Sequence, residues 1–151
     1  MSPPCGLLVS WPFGYPPGYA GTATGWHPGR DYPCPVGTPL RAVADATVAV
    51  MESGPSGVVS VLDGAWGVYL RLALADGTSR VYDYCHLSAY AAGLTEGDRV
   101  RRGDVVAYSG QSGLPGVTIW GPHLHEQGWL DLAACGDGRN RVDTAPWFGS
   151  A

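Results

Sequence analysis

Residues 66–86 read WGVYLRLALADGTSRVYDYCH and predict a β-hairpin. Two runs within this stretch, 66–73 and 80–86, are rich in aromatic and aliphatic residues, which favour a pleated, half-buried strand. Asp76-Gly77 lies between them, and glycine accepts the backbone conformation that tight hairpin turns require. We therefore expect an antiparallel β-sheet built around this hairpin.

Other strand-like runs lie on both sides of the hairpin. The 23 glycines and 13 prolines are scattered rather than periodic, which indicates many turns between short strands. One short helical turn is expected at residues 89–94. Strands are expected at 39–44, 47–52 and 57–62, as a pair over 99–108 that turns at 102–104, and at 122–129.

The length and composition fit one folded unit. A chain of 151 residues with 45% hydrophobic and 15% charged residues can build one core. The predicted fold is mostly β, a single domain over 1–151 based on one antiparallel sheet with little helix. Residues 1–10 are expected to form an N-terminal extension, and residues 11–148 the folded core.

The charge and hydropathy of the chain argue against a nucleic-acid partner and against a membrane span. The formal net charge is -4 and all nine basic residues are arginines, so no basic face for nucleic acid is expected. No run approaches the roughly 20 apolar residues of a membrane span. The N-terminus shows no basic segment followed by a long apolar run, so no signal peptide is visible.

The four histidines point to a metal site. His123 and His125 are two residues apart, so on a strand both imidazoles project to one face. His27 and Asp31 are four residues apart across Pro28 and Gly29, a spacing typical of a turn that enters a strand. A catalytic zinc site uses three nitrogen or oxygen ligands and an open position. The remaining histidines can then transfer protons.

Three motifs containing these residues occur in a fixed order. They are GWHPGRD at 25–31, YCHLS at 84–88 and GPHLH at 121–125. Together they resemble the signatures of the lysostaphin-like (LytM-type, M23) zinc peptidoglycan endopeptidases. The resemblance covers about residues 11–148 and includes PFGY at 12–15, GDRVRRGD at 97–104 and VDTAPW at 142–147.

The resemblance implies a role for each motif residue. His27, Asp31 and His125 would bind one zinc ion per chain, whereas His86 and His123 would form the catalytic pair. One of these two histidines would take a proton from the attacking water, and the other would stabilise the oxyanion. The fold implied is a β-sheet domain with a long groove bounded by loops and the metal at its floor.

The resemblance also implies a substrate and a place of action. The expected activity is hydrolysis of peptide cross-links in bacterial peptidoglycan, with stem or cross-bridge peptides as binding partners. The expected site of action is the cell wall, reached outside the cell or by phage delivery, as for an endolysin or a virion-associated lysin. A separate wall-binding domain or a phage structural protein is a further expected partner. D-Ala to diaminopimelate bonds are favoured over glycine-containing bridges, because the arginine-only usage indicates a GC-rich genome.

Three further features modify this picture. Tyr15 resembles a tyrosine that some family members place beside the oxyanion, although Tyr19 competes for the role and an aromatic packing the groove wall is the simpler interpretation. Glu126 directly follows the second histidine, where many relatives carry Phe. The apolar insertion at 113–120 is expected to form a groove wall.

The four cysteines, Cys5, Cys34, Cys85 and Cys135, have no zinc-binding spacing. Strand alternation predicts that Cys85 points away from the groove while His86 points into it. If the strand after Asp31 neighbours the strand that ends at His86, as the resemblance implies, Cys34 and Cys85 would lie within bonding reach. A bond between Cys5 and Cys135 is a weaker second pairing.

Three other functions were weighed against hydrolysis. Biotinyl and lipoyl carriers, which share a similar hairpin, attach their cofactor to a lysine, and this chain has none. A histidine phosphocarrier uses paired histidines, but Asp31 and the His123–His125 pair fit metal binding better. The remaining alternative is a catalytically inactive member of the family that binds the wall or regulates another enzyme.

Overall fold

The computed structural model describes residues 4–5, 9–18, 24–52, 67–113, 121–135 and 140–148. Ten strands and two short 3₁₀ turns occur in these residues. The strands are β1 Arg30–Pro33, β2 Pro39–Arg41, β3 Ala46–Glu52, β4 Tyr69–Leu74, β5 Val81–Cys85, β6 Leu87–Tyr90, β7 Arg99–Val100, β8 Val105–Ser109, β9 His123–Trp129 and β10 Arg141–Val142. The 3₁₀ turns are Leu132–Ala134 and Ala145–Phe148.

The strands form two antiparallel sheets. The larger has seven strands in the order β1-β9-β5-β4-β3-β7, and β10 pairs with the end of β9 beyond β1. The smaller has three strands in the order β2-β8-β6. The predicted mostly β, antiparallel fold with little helix is confirmed, and the second sheet is an addition to the expected single one.

The predicted hairpin forms within the described residues 67–86. β4 and β5 pair antiparallel, with Leu70 opposite Tyr84 and Ala73 opposite Val81. Gly77 in the connecting turn has φ +80°, which only glycine adopts at little cost. The pairing places the leucines of β4 and the tyrosines of β5 on the same face, where they are buried.

Two details of the predicted secondary structure are wrong. Residues 89 and 90 were predicted in a helical turn but belong to strand β6. Their backbone pairs with strand β8. The strands at 99–108 do not pair with each other: β7 joins β3, whereas β8 lies between β2 and β6. The turn at Gly103, φ +95°, thus carries the chain from one sheet to the other. The run predicted at 57–62 lies outside the described residues.

The main hydrophobic core lies between the two sheets. The larger sheet contributes apolar side chains from β3, β4, β5 and β9, and the smaller sheet contributes Leu40, Leu87 and Val106. The Tyr84 hydroxyl donates to the carbonyl of Arg41, 2.9 Å away, and accepts from the amide of Val43.

No helix in the described part of the chain is long and apolar enough to cross a membrane.

One carboxyl group is buried on the core side of β9. Glu126 is 0% exposed, and its carboxyl group accepts a hydrogen bond from the hydroxyl of Thr144. Burial raises the pKa of Glu126 to about 8, because the apolar surroundings penalise the charged form more than Thr144 and the nearby Arg30 favour it. The side chain is therefore held mainly as the neutral acid at neutral pH.

This burial predicts a pH dependence of stability. The pKa of Glu126 rises from 4.5 to about 8 on folding, so the wild type loses stability as pH rises between those two values. Glu126→Gln cannot ionise and lacks that loss. We expect the free energy of unfolding of the variant, relative to the wild type, to increase by a few kcal/mol between about pH 5 and about pH 8.

Urea denaturation of both proteins at the two pH values measures this difference. Glu52→Gln removes a carboxylate at an exposed position of β3, where it accepts from the hydroxyl of Tyr69, and is the control whose pH dependence that of Glu126→Gln should exceed. A constant difference for Glu126→Gln would show that the buried group is not the origin of the effect.

Candidate active site

The candidate metal-binding residues lie on the adjacent strands β1 and β9 and in the segment just before β1. β1 and β9 pair antiparallel with Asp31 directly opposite His125. Residues opposite each other on paired strands project to the same face. His123 and His125 therefore share the face of Asp31, while Leu124 and Glu126 point to the core. His27 precedes β1 and is fully buried.

The predicted set of His27, Asp31 and His125 converges on one point. His27 Nε2 lies 3.2 Å from Asp31 Oδ1 and 3.1 Å from His125 Nδ1, and His125 Nδ1 lies 2.7 Å from Asp31 Oδ1. All three residues are buried, and their ligand atoms lie within 4.8 Å of one another. Two nitrogens and one carboxylate oxygen form a donor set that suits zinc.

A segment from the N-terminal part of the chain orients His27. Gly14 and His27 exchange two backbone hydrogen bonds, and Trp11 forms a bridge to Asp31. His27 Nδ1 lies 2.9 Å from the carbonyl oxygen of Pro12. A carbonyl only accepts, so this contact places the proton on Nδ1 and leaves the lone pair on Nε2, toward Asp31 and His125.

The predicted catalytic pair, His86 and His123, lies beside this cluster. Their ring centroids are 4.8 Å apart, and His86 is 5.8 Å from the ring of His125. His86 Nδ1 is 2.7 Å from the carbonyl oxygen of Ser112, and His123 Nδ1 is 2.8 Å from that of Gly121. Both contacts assign the proton to Nδ1, so Nε2 is the basic nitrogen of each neutral ring.

Burial and hydrogen bonding together determine which groups of the cluster are charged. Burial alone would raise the pKa of Asp31, but hydrogen bonds with His125 and His27 lower it well below its usual range. Desolvation lowers the pKa of His86 to about 3, helped by the charges of His125 and His123, and desolvation also lowers the pKa of His125. An ionised carboxylate beside neutral imidazoles is the protonation pattern that binds a metal ion.

The backbone at His86 overturns two predictions about the cysteines. His86 has φ +61°, the only positive value among the described non-glycine residues, and it separates β5 from β6. This conformation breaks the strand alternation on which the orientation of Cys85 was predicted. Cys85 lies opposite His125 and so points to the same face as the histidine cluster.

The proposed Cys34–Cys85 bond is consequently wrong. Cys34 belongs to the core between the sheets, whereas Cys85 packs with Tyr69 and Val50 on the other face of the large sheet. The sheet itself separates the two sulfur atoms. Cys34 instead contacts Cys5, and that hydrogen bond lowers the pKa of the Cys34 thiol to about 6 against the opposing effect of burial.

Tyr15 lies at the surface next to the segment that orients His27. Its side chain is 71% exposed, and its ring packs edge-to-face on Trp26 at 5.1 Å between centroids. Phe13 packs on the same Trp26 at 4.9 Å. The described contact of the Tyr15 ring is thus aromatic packing on Trp26 at the surface. Tyr19 and residues 114–120 of the insertion lie outside the described residues.

Sequence reasoning missed Gln127 and Arg141. Gln127 lies two residues beyond His125 on β9, so the alternation that united the two histidines also places Gln127 on their face. The signal was therefore present in the sequence. Arg141 reaches Gln127 only because β10 pairs with the end of β9, a tertiary contact that no local pattern indicates.

Comparisons with known proteins agree with this geometry. The profile of Peptidase family M23 matches residues 25–133. The chain is 34% identical over 115 residues to the Glycyl-glycine endopeptidase ALE-1 of Staphylococcus capitis, covering 76% of this chain and 28% of that protein. It is 33% identical over 117 residues to the DD-carboxypeptidase/endopeptidase Mpg of Neisseria meningitidis, covering 78% and 23%. The chain thus spans about a quarter of the length of these relatives.

A solved structure shows the same fold. The catalytic domain of lysostaphin from Staphylococcus simulans superposes with a TM-score of 0.71 at 26% identity, covering 95% of this chain and 93% of that one. Fold and motifs together define a peptidase domain of the lysostaphin type. The chain belongs to Peptidase family M23.

The close approach of β1 to β9 at the cluster predicts a sensitive position. A Cβ atom added at Gly29 would lie 1.9 Å from the carbonyl oxygen of Glu126 and 2.8 Å from Nε2 of His125. Gly29→Ala must therefore push the two segments apart. We expect a loss of about 1–3 kcal/mol or more in the free energy of unfolding.

Chemical denaturation of Gly29→Ala and of a control, Gly121→Ala, measures this loss. A Cβ at Gly121 meets no atom of the described residues within 4 Å, so the control should match the wild type. Equal stability of Gly29→Ala and the wild type would contradict the close approach.

Proposed function

We propose that this chain is a zinc metalloendopeptidase that hydrolyses peptide cross-links of bacterial peptidoglycan. The observation that carries the proposal is the convergence of His27, Asp31 and His125, with His86 and His123 beside them. Membership of the M23 family supports the same conclusion, since its relatives here include a glycyl-glycine endopeptidase and a DD-carboxypeptidase/endopeptidase.

The donor set of the cluster fits a zinc ion. His27 would bind through Nε2, His125 through Nδ1 and Asp31 through Oδ1, the atoms that face one another. Zinc bound there supplies the Lewis acidity that peptide hydrolysis needs at neutral pH. The buried, low-dielectric surroundings strengthen every charge interaction of the cluster.

His86 and His123 are proposed to accept the proton of the attacking water and to stabilise the negative charge that develops on the oxyanion. Their Nδ1 atoms are bound to carbonyl oxygens, so each neutral ring can accept a proton at Nε2. One histidine takes the proton of the attacking water at Nε2, and the other, protonated at Nε2 by solvent before the attack, donates a hydrogen bond to the oxyanion. Burial lowers the pKa of His86, so its ring is neutral at neutral pH and Nε2 carries no proton.

The remaining proposals concern substrate and context. Stem or cross-bridge peptides of the wall are the proposed partners, and the cell wall is the proposed place of action, reached by secretion or by a phage. Tyr15 is proposed to lie beside the oxyanion, as in the family members that carry a tyrosine there, and it is exposed next to the segment that holds His27. A wall-binding domain or a phage structural protein would bring the chain to its substrate, and 11–148 is the proposed catalytic core.

The metal assignment predicts the zinc content of three proteins. The wild type should hold close to one equivalent, and Asp31→Ala should lose most of it, because a site of this type needs all three ligands. Elemental analysis after dialysis measures the content. If a His27→Ala, His125→Ala double variant still retained a full equivalent, the assignment would be wrong.

The catalytic assignment predicts a separation of rate from metal content. His86→Ala should keep its zinc and lose on the order of a hundredfold or more in the rate of cross-link hydrolysis. Mass spectrometry of muropeptides released from purified walls measures the rate and identifies the bond. Walls with D-Ala to diaminopimelate links and walls with glycine bridges should be compared.

Two outcomes would contradict these proposals. Loss of zinc in proportion to loss of rate in His86→Ala would make His86 a metal ligand. A zinc-loaded wild type that binds every wall type and releases no peptide would instead support the alternative, an inactive wall-binding or regulatory member of the family.

A further inference from the structure

The row of side chains on the site face of β9 continues beyond His125. Gln127 is 0% exposed, and its Nε2 lies 2.9 Å from Nε2 of His125. This is the ring nitrogen opposite the one that faces Asp31 and His27. Gln127 is therefore placed to influence which nitrogen of His125 carries the proton.

Arg141 fixes the orientation of the Gln127 amide. Arg141 Nε donates to Gln127 Oε1 at 2.5 Å. A guanidinium has donors only, so the oxygen of the amide must face Arg141, and the NH₂ end faces His125. The guanidinium of Arg141 also lies 5.4 Å from the ring of Trp129, its neighbour across β10 and β9, which holds the arginine in place.

This orientation determines the proton position on His125. The NH₂ group of Gln127 donates to Nε2, so Nε2 accepts and the proton lies on Nδ1, where it is donated to Asp31 at 2.7 Å. A histidine that binds a metal through Nδ1 instead carries its proton on Nε2 and needs an acceptor there. The amide orientation that Arg141 selects presents a donor to that position.

We propose that Arg141, acting through the carboxamide of Gln127, lowers the affinity of His125 for the metal ion. Both are positioning residues: neither touches the metal or the substrate. The inference rests on the proposed function, since it concerns the same zinc site. Removal of Arg141 removes the donor that holds Oε1 away from His125, so rotation of the carboxamide by half a turn, after which its oxygen accepts the Nε2 proton of metal-binding His125, no longer breaks that hydrogen bond.

Zinc affinity tests this inference by a readout other than activity. Competition with a chromophoric chelator should show about tenfold tighter zinc binding for Arg141→Gln than for the wild type, the usual scale of one relieved buried polar mismatch. Gln127→Glu keeps the contact with Arg141 and presents an acceptor to Nε2, so it should also bind zinc more tightly. Arg99→Gln, at an exposed position of the edge strand β7, should match the wild type.

A double-variant cycle separates the amide from the charge of Arg141. Removing a positive charge near the site would raise zinc affinity without any role for Gln127. In a Gln127→Met background the proposal predicts no effect of Arg141→Gln, because the group through which Arg141 acts is absent. An effect that persists in this background would overturn the inference in favour of a direct charge effect.

Failure of the inference and failure of the proposed function differ in their outcome. If the wild type binds zinc and Arg141→Gln binds it equally or more weakly, the inference alone is wrong. If the wild type binds no zinc at all, both are wrong. Circular dichroism of each variant checks that the fold is retained.

Discussion

The pairing of β1 with β9 is the constraint on which the site depends. Its register places Asp31 opposite His125, so a carboxylate and an imidazole from distant parts of the sequence meet on one face of the sheet. A shift by one residue would turn both histidines into the core and bring Leu124 and Glu126 to the site. Gly29 allows the approach, because no side chain fits between it and the backbone of Glu126.

Backbone carbonyl groups determine the tautomers of three of the histidines at the site. Pro12, Ser112 and Gly121 lie in three separate loop segments, and each places its carbonyl oxygen against the Nδ1 atom of one histidine. An imidazole has two chemically distinct nitrogens, and the partner of one decides the role of the other. The sheet thus sets where the rings lie, whereas the loops set which nitrogen of His27, His86 and His123 is basic.

His125 differs from the other three histidines in the group that contacts its outer ring nitrogen. Its outer nitrogen faces the side chain of Gln127, which Arg141 orients in turn, and not a backbone carbonyl. A side chain can rotate or be substituted without changing the fold, whereas a carbonyl of the main chain cannot. Under the proposed metal assignment, the affinity of this site for zinc would depend on two residues that touch neither metal nor substrate.

Local sequence patterns were sufficient for the β4–β5 hairpin and for the histidine pair. The alternation around the 66–86 hairpin and the spacing of His123 and His125 follow from the two-residue period of a strand, which neighbouring residues alone dictate. Motif order then indicated the family and the set of candidate ligands. The same local rule failed at Cys85, because the left-handed backbone of His86 ends the alternation there.

Contacts between distant segments that no motif indicates were decided by the tertiary structure. The split of 99–108 between two sheets, the separation of Cys34 from Cys85 by a sheet, and the contact of Arg141 with Gln127 depend on which strands pair. Strand pairing is set by how the whole apolar surface is buried between the sheets, and no window of neighbouring residues contains that information. The chemistry of the site was thus visible in the residue types, while its geometry arose only when β1, β5 and β9 came together.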